Sequence, residues 1–310
     1  MKMPPFTLVH DRSAASKRQL QDLLKARIQA IEAAEPALAA SLKKQSQGFT
    51  KTLLSTSLGV AEGPASNLTA ALPNLRRVVE ELERQPNVIT VGIWDLGARV
   101  SRLPRIIEAL NAAQGLFALF EVEAAIPAGM ISRPERVVAW LREQTGKAPG
   151  RKERAEIENN MIAEDFYKRA DIVRKDLGLD YLAGITPSMV AFEDEGGVYW
   201  NNFAAYYNRL VLASTHDLRM FAEKAGRPFE AAVGGLICGM LLVAVNPKLG
   251  YHRESTGCLF DMNLDRKGIV KTIKSARIDE RCMSLMQPKY RPVAGALLEA
   301  LRNYQGEEAS

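Results

Sequence analysis

Histidine is scarce in this chain: His10, His216 and His252 are the whole supply among 310 residues. A catalytic metal held by three imidazoles would have to recruit all of them. Cysteine is equally sparse. Cys238, Cys258 and Cys282 are an odd number spread over a long chain, which does not make a secreted disulfide framework and suits reduced thiols in a cytoplasmic protein. Met1 to His10 carries one lysine and two prolines but no apolar h-region, so no secretory signal is expected. The most apolar run, Ala231 to Val245, is short and interrupted by glycine; it reads as a buried core helix, with no membrane span. Neither a Gly-x-Ser-x-Gly elbow nor a Gly-x-x-x-x-Gly-Lys-Ser/Thr loop occurs, which removes the usual serine hydrolase and nucleotide hydrolase signatures.

What is there is an ordinary globular composition, 47% hydrophobic and 25% charged, with a formal net charge of +5. Much of that excess sits near the start. Between Asp11 and Lys51, eight bases (Arg12, Lys17, Arg18, Lys25, Arg27, Lys43, Lys44 and Lys51) face four acids. Such a segment can attract nucleic acid or anionic lipid; interspersed acids and the lack of accompanying aromatics favour a solvated helix face.

Periodicity organises the rest. Leu20, Leu23, Leu24, Ile28 and Ile31 predict a helix over Ser13 to Ile31, and a second helix is expected from Leu38 to about Thr52. Gly59, Gly63, Pro64 and Ser66 break the pattern before a helix from Pro73 to Arg84. At Pro86 the character changes. A β-branched strand from Asn87 to Trp94, a helix from Leu103 to Ala113 and a strand from Leu116 to Val122 form a β-α-β unit. Its first loop, Asp95 to Arg99, holds a single glycine, so dinucleotide binding has little support. Further helices are expected from Pro134 to Gln144 and Ala155 to Lys175, with strands at Asp180 to Thr186 and Arg209 to Thr215. A hairpin around Glu193 to Gly197, a helix from Asp217 to Lys224 and the apolar helix from Pro228 to Val245 complete the pattern. The fold class is α/β, with α+β as the alternative: a mixed sheet flanked by helices. The chain divides into a helical N-terminal segment, residues 1–85, and a domain spanning 86–310.

The order of strands, the Leu-Ala-Ser-Thr strand leading to His216, the helix with Glu230 and the final His252 with Cys258 resemble the zincin-type metallopeptidases called archaemetzincins. In that family a His-Glu-x-x-His helix leads to a third histidine, then to cysteines and a later cysteine pair. His252 matches the third histidine and Cys258 one cysteine, Arg253 and Phe260 depart from the pattern, and Asp279 with Cys282 stands for the later pair. Taken as the zinc helix, Phe229-Glu230-Ala231-Ala232-Val233 lacks both imidazoles and keeps only the glutamate position. The resemblance thus implies a zincin-like domain without catalytic zinc, which needs three protein ligands and one open position.

Candidate site residues follow. Glu230 and His252 are the catalytic candidates; an acid in a helix's first turn also simply complements the helix dipole. His252, Cys258, Asp279 and Cys282 are the candidates for a structural zinc site, against Cys258 as a small buried residue. Trp200, Asn201, Tyr206 and Arg209 lie in an aromatic and amide-rich run that suits a ligand pocket or a core stripe. His216 joins them as a ligand candidate or a helix-capping residue. Three functions are expected in order: a degenerate zincin-like module binding a peptide, a protein partner or a small ligand; a divergent metallopeptidase or other hydrolase using Glu230 and His252; and a basic helical protein contacting nucleic acid.

Overall fold

In the computed structural model, residues 14–46, 72–84, 88–127, 130–195 and 197–306 are described. Two long helices come first, α1 (Ala14–Ser46) and α2 (residues 72–84). The α/β body follows. It comprises β1 (Ile89–Asp95), α3 (Leu103–Ala113), β2 (Phe117–Glu121), α4 (Pro134–Thr145), α5 (Arg151–Ile157), β3 (Asn160–Ile162), α6 (Ala163–Asp176) and β4 (Tyr181–Thr186). The chain continues through β5 (Met189–Asp194), β6 (Gly197–Asn202), β7 (Ala204–Tyr207), β8 (Leu210–Ser214), α7 (Leu218–Ala225) and α8 (Phe229–Val245). It closes with α9 (Ile269–Ser275), α10 (Glu280–Leu285) and α11 (Arg291–Asn303).

The main sheet runs β2-β1-β4-β8-β7, parallel except for β7, which pairs antiparallel with β8. A smaller sheet, β3-β5-β6, joins a parallel pair to a hairpin. The fold is therefore a mixed α/β architecture, with helices on both faces of the main sheet. Alternation along the strands divides the core in two. Ile89, Val91 and Ile93 share one cluster with α3, α8 and α11, whereas Trp94, Ala118, Phe120 and Leu182 share another with α6. Leu20, Leu24 and Ile31 of α1, with Leu75, Val78 and Leu82 of α2, are buried in that second cluster. The first two helices therefore cover a sheet face.

Strand β4 meets α6 through a glycine. A Cβ at Gly184 would come within 2.6 Å of the Phe166 ring, itself wholly buried; only hydrogen lets helix and sheet approach this closely. After β1, Asp95 accepts from the amides of Gly97, Ala98, Arg99 and Val100. One carboxylate thus organises the turn that a glycine cluster builds in a dinucleotide site.

Three sequence expectations need correction. The two helices expected before residue 52 are a single α1 that passes through Pro36 to Ser46, carried by the alanines on either side of the proline. The helix expected over Ala155 to Lys175 is split by β3. There Asn160 donates its side-chain amide to Asn201 Oδ1 at 2.9 Å and accepts from the Asn201 amide at 2.8 Å; long-range pairing overrides local helix propensity. The aromatic run Tyr199 to Arg209 forms the end of β6 and a further strand, β7. His10, Arg12, Lys51 and the break at Gly59 to Ser66 lie outside the described residues, as do the side chains of Lys43 and Lys44. Among the described residues no single helix is long and apolar enough to cross a membrane.

Candidate functional site

The loop after α8 folds back on itself through two isolated bridges. The His252 amide donates to the Phe260 carbonyl at 2.9 Å, and the Leu259 amide donates to Arg277 at 2.7 Å. Gly257 makes the turn between them at φ 90°, where a Cβ would meet Ser275 Oγ at 3.0 Å, so the position requires glycine. Asp261 is the loop's organiser. Its carboxylate accepts from the Gly257 amide at 2.6 Å and from the Thr256 hydroxyl at 3.2 Å, and it is buried.

This folding brings His252 and Cys258 close to Cys282 on one side and to Asp261 and Asp279 on the other. His252, Cys258 and Cys282 offer ligand atoms within 4.8 Å of one another, as do His252, Cys258, Asp261 and Asp279. His252 Nδ1 donates to the Glu254 carbonyl at 3.0 Å, so in the neutral ring the lone pair is on Nε2. That Nε2 is buried, has no hydrogen-bond partner among the described residues, and lies 3.8 Å from Asp279 Oδ2, too far for a hydrogen bond. Two backbone amides, from Phe260 at 3.5 Å and Asp279 at 3.4 Å, donate to Cys258 Sγ. Burial pushes both thiols up, Cys282 to about 12, while the amide donors oppose the rise at Cys258. Imidazole, thiol and carboxylate donors converging with an orphaned ring nitrogen fit a zinc-type ion, which takes N, S and O ligands tetrahedrally. His252 and Cys258 are thus shared by two overlapping groups, one completed by Cys282 and the other by Asp261 and Asp279; Asp279 and Cys282 do not fall in the same group.

Glu230 stands elsewhere. It is buried in the first turn of α8 and belongs to neither group of potential ligands. The proposed pairing of Glu230 with His252 is not formed, and Glu230's placement matches a dipole-compensating acid.

Next to this loop is a cavity of about 1200 Å³. Its walls are α6, the β5–β6 hairpin, β7, α8, α9 and the loop at Tyr251 to Asn263. The wall given by α8 is Ala231, Ala232, Gly235, Leu236 and Met240. The cavity-facing register is thus shifted by two residues from the Phe229 to Val233 window, and neither Phe229 nor Glu230 lines the space. Among the described residues no histidine lines it either. Tyr251 and Asp261 do, so the cavity and the ligand cluster share a wall. Strand β7 lines the cavity and is the last strand of the main sheet; its outer edge has no strand partner among the described residues.

Of the expected ligand-contacting residues, only Tyr206 lines the cavity. Trp200 packs against the small-sheet cluster of Val137, Trp140 and Ile162. Asn201 is used in joining β6 to β3. Arg209 precedes β8 and gives its carbonyl to the Leu182 amide at 3.0 Å. His216, following β8, donates its amide to Ser214 Oγ at 3.1 Å and accepts at its carbonyl from Arg266, which is its helix-entry role. Glu164, Tyr167 and Tyr251 line the cavity without having stood out in the sequence. Ala231 and Gly235 carried a legible signal, small residues four apart on one helix face. Three of the four bases of α1 whose side chains are described are engaged within the chain: Lys17 with the Val88 carbonyl, Lys25 with Glu83, and Arg27 with the Glu121 carbonyl and Glu123; the fourth, Arg18, is exposed.

No family model, no curated protein and no solved structure matches the chain.

Proposed function

We propose that this protein is a catalytically degenerate zincin-like module that holds an extended peptide or a small ligand in the cavity between β7 and α8 without hydrolysing it. The observation that carries the reading is the α8 wall. Ala231, Ala232, Gly235 and Leu236 face the space, and none of them can ligate a metal or move a proton. Room and a docking rail support binding. The volume, about 1200 Å³, is slightly larger than that of ordinary small-ligand sites, and an unpartnered edge strand offers a row of backbone donors and acceptors to an extended chain. The test is to incubate the purified protein with a mixed peptide pool, separate bound from free, and weigh every peptide by mass spectrometry. Retention of intact peptides supports the reading; cleavage products that disappear on adding a chelator overturn it.

We further infer that His252, Cys258, Asp279 and Cys282 hold a structural zinc. The bond from His252 Nδ1 to the Glu254 carbonyl and the amides donated to Cys258 Sγ favour this over a merely buried cluster. Such an ion would tie the Tyr251 to Asn263 loop to the start of α10, and so set the cavity wall that Tyr251 and Asp261 provide.

A further inference from the structure

Glu164 and Tyr167 are three residues apart on α6 and both line the cavity, as that spacing allows on one helix face. Glu164 Oε1 accepts from the Glu193 amide at 3.0 Å. Its other oxygen, Oε2, is buried without a hydrogen-bond partner among the described residues, and so is the Tyr167 hydroxyl. Burial pushes the Glu164 carboxyl above the usual range, against the amides that hold it down, and the charges of Asp165 and Glu193 push it further. Burial also raises the Tyr167 phenol, with Glu164 beside it.

The surroundings share one sign. Glu193, Asp194 and Glu195 at the hairpin turn bring three more carboxylates to this end of the cavity, against the single ammonium of exposed Lys168. Arg227, the other base in the lining, is spent on the carbonyls of Leu301 and Arg302. The aromatic faces are close by. The rings of Tyr167 and Tyr207 lie 5.6 Å apart, and both residues border the space.

We propose that this end of the cavity, between α6 and the β5–β6 hairpin, receives a cationic side chain of the bound peptide, a guanidinium before an ammonium. The inference rests on the peptide-binding reading above and names what that site selects. A buried carboxylate oxygen left unpaired is costly, whereas one paired with a charged donor is stabilising. A guanidinium supplies several N–H donors in one plane, enough to reach Glu164 Oε2 and the Tyr167 oxygen together while stacking on a tyrosine ring. A neutral apolar guest leaves both oxygens as they are, and an anionic guest meets four like charges.

The experiment uses the full chain and N-acetylated, C-amidated decapeptide pools, degenerate except for one fixed position occupied by Arg, Lys, citrulline, norleucine or Glu. The Arg and Lys pools are expected to be retained about tenfold better than the citrulline and norleucine pools, and the Glu pool least. Glu164→Gln is expected to remove about tenfold of the Arg preference over citrulline, read as the ratio of the two pools within the variant. Tyr167→Phe keeps the ring and deletes only an unpaired hydroxyl, so it folds, and it is expected to narrow the gap between Arg and Lys. Equal retention of Arg and citrulline pools, or an Arg preference untouched in both variants, overturns the cation assignment and leaves the peptide-binding reading standing. Retention of no pool removes both.

Discussion

Asn111 Nδ2 donates to Asn74 Oδ1 at 2.6 Å and to the Leu119 carbonyl at 2.7 Å, while Asn111 Oδ1 accepts from the Leu119 amide at 2.9 Å. Asn74 reaches the same carbonyl at 3.0 Å. Leu119 is in β2, the outermost strand at one end of the main sheet. Two buried amides from α2 and α3 therefore take the place of a neighbouring strand there. Asn111→Leu strands a buried backbone N–H and is expected to cost about 2–4 kcal/mol. A urea titration checks this: the midpoint falls with the slope unchanged. An unchanged midpoint would show that Asn74 alone suffices.

Purified protein is expected to carry one zinc per chain, bound by His252, Cys258, Asp279 and Cys282. Cys258→Ala and His252→Ala are each expected to lose most of it, because three ligands of a structural site rarely hold an ion that four do. Elemental analysis of dialysed protein reads the outcome. Protein free of metal after refolding in zinc, with a normal folded spectrum, would remove the metal assignment.

Glu121 gives a pH dependence. Burial raises its carboxyl to about 7, Arg27 pulls it down, and Glu123 and Asp95 add to the rise. The folded state therefore binds more protons than the unfolded chain between the ordinary carboxyl range and about 7. Stability contributed by this group is present at low pH and is lost as pH rises through about 7. Glu121→Gln is expected to gain on the wild type above neutrality, by at most about 3 kcal/mol before allowing for partial exposure. The difference between variant and wild type should vanish near pH 4. Denaturant midpoints at several pH values measure it, and a difference flat with pH would sink the assignment.

Two glycines are expected to respond oppositely. Gly184→Ala forces a methyl against the Phe166 ring and is expected to cost about 1–3 kcal/mol. Gly235→Ala, in α8, meets nothing closer than 4.0 Å and is expected to stabilise by about 0.5–1 kcal/mol through helix propensity. Thermal unfolding of both variants checks the pair. Gly235→Phe points into the cavity and is expected to abolish peptide retention in a chain that still folds.

Most of the main sheet was legible because its strands are β-branched runs bounded by glycine and proline, and α3 and α8 were found within a residue or two. The failures have physical causes. Strand β3 is three residues long and is held by Asn201, forty-one positions away, so no local window contains its reason. Helix α8 is buried on nearly every side, and a helix apolar all round does not announce which face meets a cavity. That is why the window Phe229 to Val233 and the cavity-facing residues of α8 differ by two positions. The nearness of His252, Cys258 and Cys282 could be anticipated from residue types alone, whereas Asp261 was missed because its part depends on a loop closing through the His252 bridge. Glu164 and Tyr167 read as ordinary polar positions on a surface helix; only the hairpin packed above them turns them inward.

The walls of the cavity run from Glu164 in α6 to Leu301 in α11. No short fragment of the chain contains them, so the space exists only where the entire α/β body has assembled. Whatever settles inside is felt by the whole fold at once, and the melting temperature climbs with its concentration. Small compounds can therefore be ranked by heat alone.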